Sequence, residues 1–166
     1  MSRKDALLAA VLEGALILTA ALMGWALHEP LIFASLGPTA FELIETPKRK
    51  SARFYNILVG NLIAILAGFF ALWVTHAWWA PAISLTGVPF PRVGAVFLAA
   101  ALTVLGTLLA NATQPAALST TLIIATGVMQ AKLDGLVIMA AVALILALGE
   151  PIRRWRARSM PDPQGR

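Results

Sequence analysis

The chain has no cysteine, only eight acidic residues and a single tyrosine among its 166 residues. The missing cysteine excludes a disulfide framework, thiolate metal ligation and a cysteine nucleophile. Charged residues make up 13% of the chain, about half the share of an ordinary soluble domain, so there is too little charge to solvate a soluble surface. Two histidines, His28 and His76, have no third ligand at a recognisable spacing, so no metal site is expected. There is no nucleophile beside a base, no phosphate-cradling glycine loop and no catalytic carboxylate pair. The chain therefore reads as neither an enzyme nor a cofactor protein.

Apolar sequence fills the space that charge leaves. The chain is 59% hydrophobic with a mean hydropathy of +0.80. Four runs, roughly Ala6 to His28, Phe54 to Trp78, Val93 to Ala110 and Leu133 to Gly149, approach or exceed the length that crosses a hydrocarbon core. The first is too long for the apolar part of a cleaved signal and ends in Trp25 and His28, so it reads as a retained span. Two shorter apolar segments, Leu31 to Ile44 and Ala116 to Val128, carry Ser, Thr, Gly or Pro.

The positive charge is clustered: Arg3 and Lys4; then Lys48, Arg49, Lys50 and Arg53; then Arg153, Arg154, Arg156, Arg158 and Arg166. These blocks flank apolar runs and are not interleaved with aromatics, so they set membrane orientation and do not mark a nucleic-acid partner. If both short segments cross the membrane, all three blocks face the cytoplasm and only Arg92 and Lys132 lie opposite. The expectation is an all-α integral membrane protein of about six spans, in one domain, with both ends cytoplasmic, in the inner membrane of a prokaryote. Trp25, Trp73, Trp78 and Trp79 then fall near the outer interface and Trp155 near the inner one.

The spans run long, short, long over about 6–79 and again over about 93–150, followed by a basic tail over 151–166. Three spans per half put the second half in the opposite orientation, which is a 3+3 inverted repeat. Short or Gly/Pro-interrupted segments at matching places in two halves point to a transport site. In the first, Gly37 and Pro38 are expected to break the backbone, with a helix starting at Pro38 and Thr39 in its first turn. In the second, Pro115 starts a helix. Helix N-termini offer free amides and partial positive charge to an anion, here expected from Pro38 to Ala40 and from Ala116 to Leu118. The candidate substrate contacts are Ser35, Gly37, Pro38, Thr39, Asn61, Thr113, Gln114, Pro115, Ser119 and Thr120.

Glu13, two turns into the first run, is the candidate proton carrier. Glu42 and Glu45 read as charge balance for Lys48 and Arg49. The row Gly60, Ala64, Gly68 reads as a close-packing face within the bundle or in a homo-oligomer.

The stretch from Pro30 to Ala40, the region from Pro47 through Arg53, Asn56, Gly60 and Asn61, and the run from Thr113 to Ala117 resemble the HPP family of small integral membrane proteins. That family is named for a His-Pro-Pro motif, and some plant and cyanobacterial members are associated with nitrite transport. Thr113 and Gln114 stand where the motif has His and Pro, Pro115 keeps its last proline, and Asn61 stands at another family histidine. The resemblance implies a membrane transporter or channel for a small inorganic anion such as nitrite, with a non-transporting membrane scaffold or assembly subunit as the alternative.

Overall fold

The structure is a computed structural model that describes residues 3–131 and 133–160. Ser2, Lys132 and Arg166 therefore lie outside the described residues. The described residues form helices joined by turns and short loops, with no strand among them. In chain order the helices are α1 (Arg3–Leu27), α2 (Leu36–Glu45), α3 (Phe54–Val74), α4 (Ile83–Thr86), α5 (Phe90–Leu109), α6 (Pro115–Ala125) and α7 (Asp134–Ser159). Helices α1, α3, α5 and α7 are long and apolar enough to cross a membrane, and they coincide with the four long runs of the sequence. Helices α2 and α6, of 10 and 11 residues, are about 15–16 Å long, half the thickness of a hydrocarbon core of about 30 Å.

The helix ends differ from expectation in two places. Helix α2 begins at Leu36, so Gly37 and Pro38 lie inside its first turn and do not break it. A proline there removes no hydrogen bond, because first-turn amides have no partner within the helix. The basic tail expected over 151–166 continues α7 as far as Ser159, through Pro151, and residues 161–166 lie outside the described residues. The α7 arginines lie in its last turns, where positive charge complements the helix dipole.

Side chains tie the ends of the elements together. Tyr55 Oη donates to Ala110 O at 3.0 Å, and Asn56 Nδ2 donates to Thr113 O at 3.1 Å. These bonds pin the start of α3 to the turn between α5 and α6. Arg153 Nη1 donates to Pro47 O at 2.9 Å and Arg156 Nε to Ile44 O at 3.2 Å, pinning the end of α7 to the end of α2. The Lys48 to Arg53 block and the α7 arginines thus share one end of the body. At the other end, Ile83 N donates to Thr126 O at 3.1 Å.

Arg92 organises that second end. It is fully buried, and its guanidinium donates to the carbonyls of Ala80 (2.5 Å), Pro81 (3.3 Å) and Ala125 (3.2 Å) and to Gln130 Oε1 (2.6 Å). Four acceptors spread around a planar fork suit arginine, and the bond to Ala125 places a cation at the carboxyl end of α6. Gly127 sits against this fork at φ +83°, where a Cβ would collide with the guanidinium.

Packing groups the helices across the two halves. Helix α3 packs on α5 and α6, which also pack on each other; α7 packs on α1 and α2, which do likewise; α3 meets α7, and α2 meets α6. Exchanging α1 with α5, α2 with α6 and α3 with α7 leaves this set of principal contacts unchanged. The small-residue row on α3 is used within the chain. A Cβ on Gly60 would lie 3.0 Å from Ala112 O and 3.2 Å from Gln114 Cβ, and one on Gly68 would lie 2.9 Å from Ile124 Cγ2. These glycines let α6 lie against the α3 backbone.

Candidate functional site

The two short helices lie antiparallel, each with its N-cap beside the second turn of the other. Ser35, the N-cap of α2, meets Thr120 of α6; Gln114, the N-cap of α6, meets Thr39 and Glu42 of α2. Neither N-cap side chain caps its own helix. A capping serine normally accepts from the second or third amide of its helix, and in α2 the third position is Pro38, which has no N–H. The freed side chain is available to a neighbouring helix.

Asn61 of α3 completes the cluster. Its Nδ2 donates to Ile57 O at 2.8 Å and to Gln114 Oε1 at 3.2 Å, which turns Oδ1 toward Thr120 Oγ1, 2.6 Å away. Thr120 Oγ1 also lies 2.8 Å from Ser35 Oγ. A hydroxyl carries one proton and the Asn61 oxygen can only accept, so Thr120 donates to Asn61 and Ser35 donates to Thr120. Gln114 Nε2 donates to Thr39 Oγ1 (3.3 Å) and Glu42 Oε2 (3.4 Å), and Thr39 Oγ1 donates to Ser35 O at 2.8 Å. The polarity of the chain is anchored on the Ile57 carbonyl, and every side-chain group in it that can donate has an acceptor. Ser35, Thr39, Asn61, Gln114 and Thr120 are all buried. Next to them Thr121 Oγ1 lies 2.6 Å from Thr103 Oγ1 and 3.2 Å from Ala64 O, which ties α6 to α5 and α3 as well.

The structure thus brings together five of the residues singled out from the sequence, Ser35, Thr39, Asn61, Gln114 and Thr120. The others stand apart. Gly37, Pro38, Thr113 and Pro115 are exposed and Ser119 is half-buried; Thr113 contributes its main-chain carbonyl to Asn56. The expected amide cradle is largely occupied, since Thr39 N donates to Ser35 O and Ala117 N to Gln114 O, and neither proline has an amide to offer.

The carboxylates also change roles. Glu42, read from the sequence as charge balance, is 7% exposed and bonded to Gln114. The balancing role falls to Glu45, 3.9 Å from Arg156. Glu13 lies half-buried on α1, where the charges of Glu45 and Arg156 act on it. It has no hydrogen bond to the cluster. Sequence spacing signalled Glu42 weakly: it lies seven residues after Ser35 and three after Thr39, on the same face of α2. Among the described residues, no three His, Asp or Glu side chains gather as a metal site. Comparison with known protein families, curated proteins and solved structures finds no match.

Proposed function

We propose that the chain is a small membrane transport protein that passes a small anion of the size and charge of nitrite through the polar centre where α2 and α6 cross. The observation that carries this reading is the convergence of Ser35, Thr39, Asn61, Gln114 and Thr120, from three separate elements, deep in a body whose long helices are apolar. Polar residues buried within a membrane bundle mark substrate paths. Neutral hydroxyls and amides can stabilise a small anion without a fixed cation holding it too tightly. In the geometry described, the donors bond one another. An entering anion takes the place of those mutual bonds, with Ser35 and Thr120 turning their hydroxyls to it and Gln114 presenting Nε2. Glu42, hydrogen-bonded to Gln114 at the edge of the cluster, joins Glu13 as an acidic residue to test for proton coupling.

The same proposal includes six crossings, an inverted 3+3 repeat, cytoplasmic termini, membership of the HPP family and a homo-oligomeric assembly. Support for the repeat comes from the contact set that is unchanged on exchanging halves, and from the matched N-cap contacts of α2 and α6. Support for the crossing of α6 comes from the side-chain ties that gather two of the three basic blocks, Lys48 to Arg53 and the α7 arginines, at one end.

A second reading, a non-transporting scaffold or assembly subunit, draws on the completeness of the network, which also suits a structural latch between the halves. Flux of nitrite, nitrate, chloride and formate into proteoliposomes, with and without a pH gradient, separates the two. Saturable, selective flux is expected. Flux no greater than that of empty liposomes, from folded and inserted protein, overturns the transport reading in favour of the scaffold.

A further inference from the structure

The last turns of α7 carry four arginines that divide by direction. Arg153 holds Pro47 O and, through Nε and Nη2, both oxygens of Glu150 at 2.7 Å. Arg156 is buried, with Nε on Ile44 O. These two fasten the helix to the body. Arg154 and Arg158 are four residues apart, on one face of α7. The Arg154 side chain is 68% exposed with one nitrogen on Glu150, and Arg158 has no hydrogen bond or ion pair among the described residues. A groove of about 550 Å³ runs beside them, between α7 and the start of α3. Phe54, Leu146 and Ala147 give it an apolar wall, and half-exposed Trp155 stands at its rim.

We infer that this groove binds one anionic phospholipid of the leaflet at the basic end, its phosphate between Arg154 and Arg158 and its acyl chains along Phe54 and Ala147. Charge complementarity decides the occupant. Glu150 is already neutralised by Arg153 and Arg154, so the remaining charge at the groove is positive and a zwitterionic headgroup is the poorer match. Guanidinium forks match phosphate oxygens, and basic pockets at the cytoplasmic side of membrane helices select anionic headgroups. The apolar wall gives acyl chains a surface that a free hydrated phosphate cannot use. Trp155 stands at the level where indole rings anchor at headgroups. The site is independent of whether the protein transports anything.

The test is thermal unfolding of the purified protein in neutral detergent with added phosphatidylglycerol, phosphatidylcholine or glycerol 3-phosphate. Saturating phosphatidylglycerol is expected to raise Tm by about 5 °C, phosphatidylcholine by less, and glycerol 3-phosphate not at all. The double variant R154Q/R158Q is expected to reduce the phosphatidylglycerol response to the phosphatidylcholine level. Arg158→Gln alone disturbs no hydrogen bond of the body, and it should shift the response the same way if the double variant folds poorly. Arg49→Gln with Lys50→Gln, at the same end but outside the groove, should leave the preference intact. Three results overturn the inference: equal responses to the two lipids in the parent chain, a preference that survives both Arg158→Gln and the double variant, or a glycerol 3-phosphate response equal to that of phosphatidylglycerol.

Discussion

Thr120 and Thr121 are adjacent in α6, both fully buried, and each makes two hydrogen bonds to other helices. Only Thr120 belongs to the proposed site, so the pair separates stability from function. Thr120→Val keeps the volume and removes contacts at 2.6 and 2.8 Å. At the average of about 0.6 kcal/mol per interhelical bond in a membrane bundle, that is about 1.2 kcal/mol, rising to about 2–3 kcal/mol because Asn61 Oδ1 is stranded in a dry interior. Thr121→Val removes contacts at 2.6 and 3.2 Å and strands the Thr103 hydroxyl, while Ala64 O keeps its place in the α3 helical ladder, at a similar cost. Unfolding of both variants in detergent should therefore show comparable destabilisation. Flux per inserted protein should diverge. If the Thr120 hydroxyl is exchanged onto the anion in a bond worth about 1.4 kcal/mol, Thr120→Val loses about tenfold in apparent affinity, and Thr121→Val stays near the parent. Equal flux losses in the two variants would refute the site, and no loss of stability in either would refute the hydrogen-bond geometry itself.

Two further outcomes are expected. Arg92→Lys keeps the charge but cannot span four acceptors from one nitrogen, so it should destabilise the protein by about 3 kcal/mol or more in detergent unfolding; a value within about 0.5 kcal/mol of the parent removes Arg92 as the organiser of its end. Because the chain is free of cysteine, single cysteines report sidedness cleanly. Lys4→Cys and Lys50→Cys should both resist an impermeant maleimide applied from outside, and Ser84→Cys should react. Labelling of Lys50→Cys on the side opposite Lys4→Cys would mean that α2 does not cross.

Much of the helical plan was legible in the linear chain. Apolar runs of membrane-crossing length can form only helices or closed barrels in lipid, and their bounds follow from composition and from prolines at helix starts. Pro115 opens α6 as its position predicts. Pro38 was the harder case, because a proline is tolerated anywhere in a first turn, and which turn is first depends on where the preceding chain is held. Packing of Leu31, Phe33 and Leu36 in the core holds it there. Glu42 and Glu45 show a similar limit. They are three residues apart on one helix beside the same basic block, and nothing local distinguishes them. One turns to Gln114 of the second half and the other to Arg156 of α7.

The sequence by itself determined the element type, the four long apolar helices, the two short ones and the segregation of positive charge, because hydropathy and chain length act locally through the solvent each residue requires. Only the tertiary structure decided which polar residues meet. Ser35 and Thr120 are 85 positions apart, and Asn61 and Gln114 are 53 apart; their contact depends on the antiparallel offset of α2 and α6 and on glycines in α3 that admit α6. Hydrogen bonds are short-ranged and directional, so polar residues one position along the chain, Thr113 beside Gln114 and Ser119 beside Thr120, are left out by where the neighbouring helices lie.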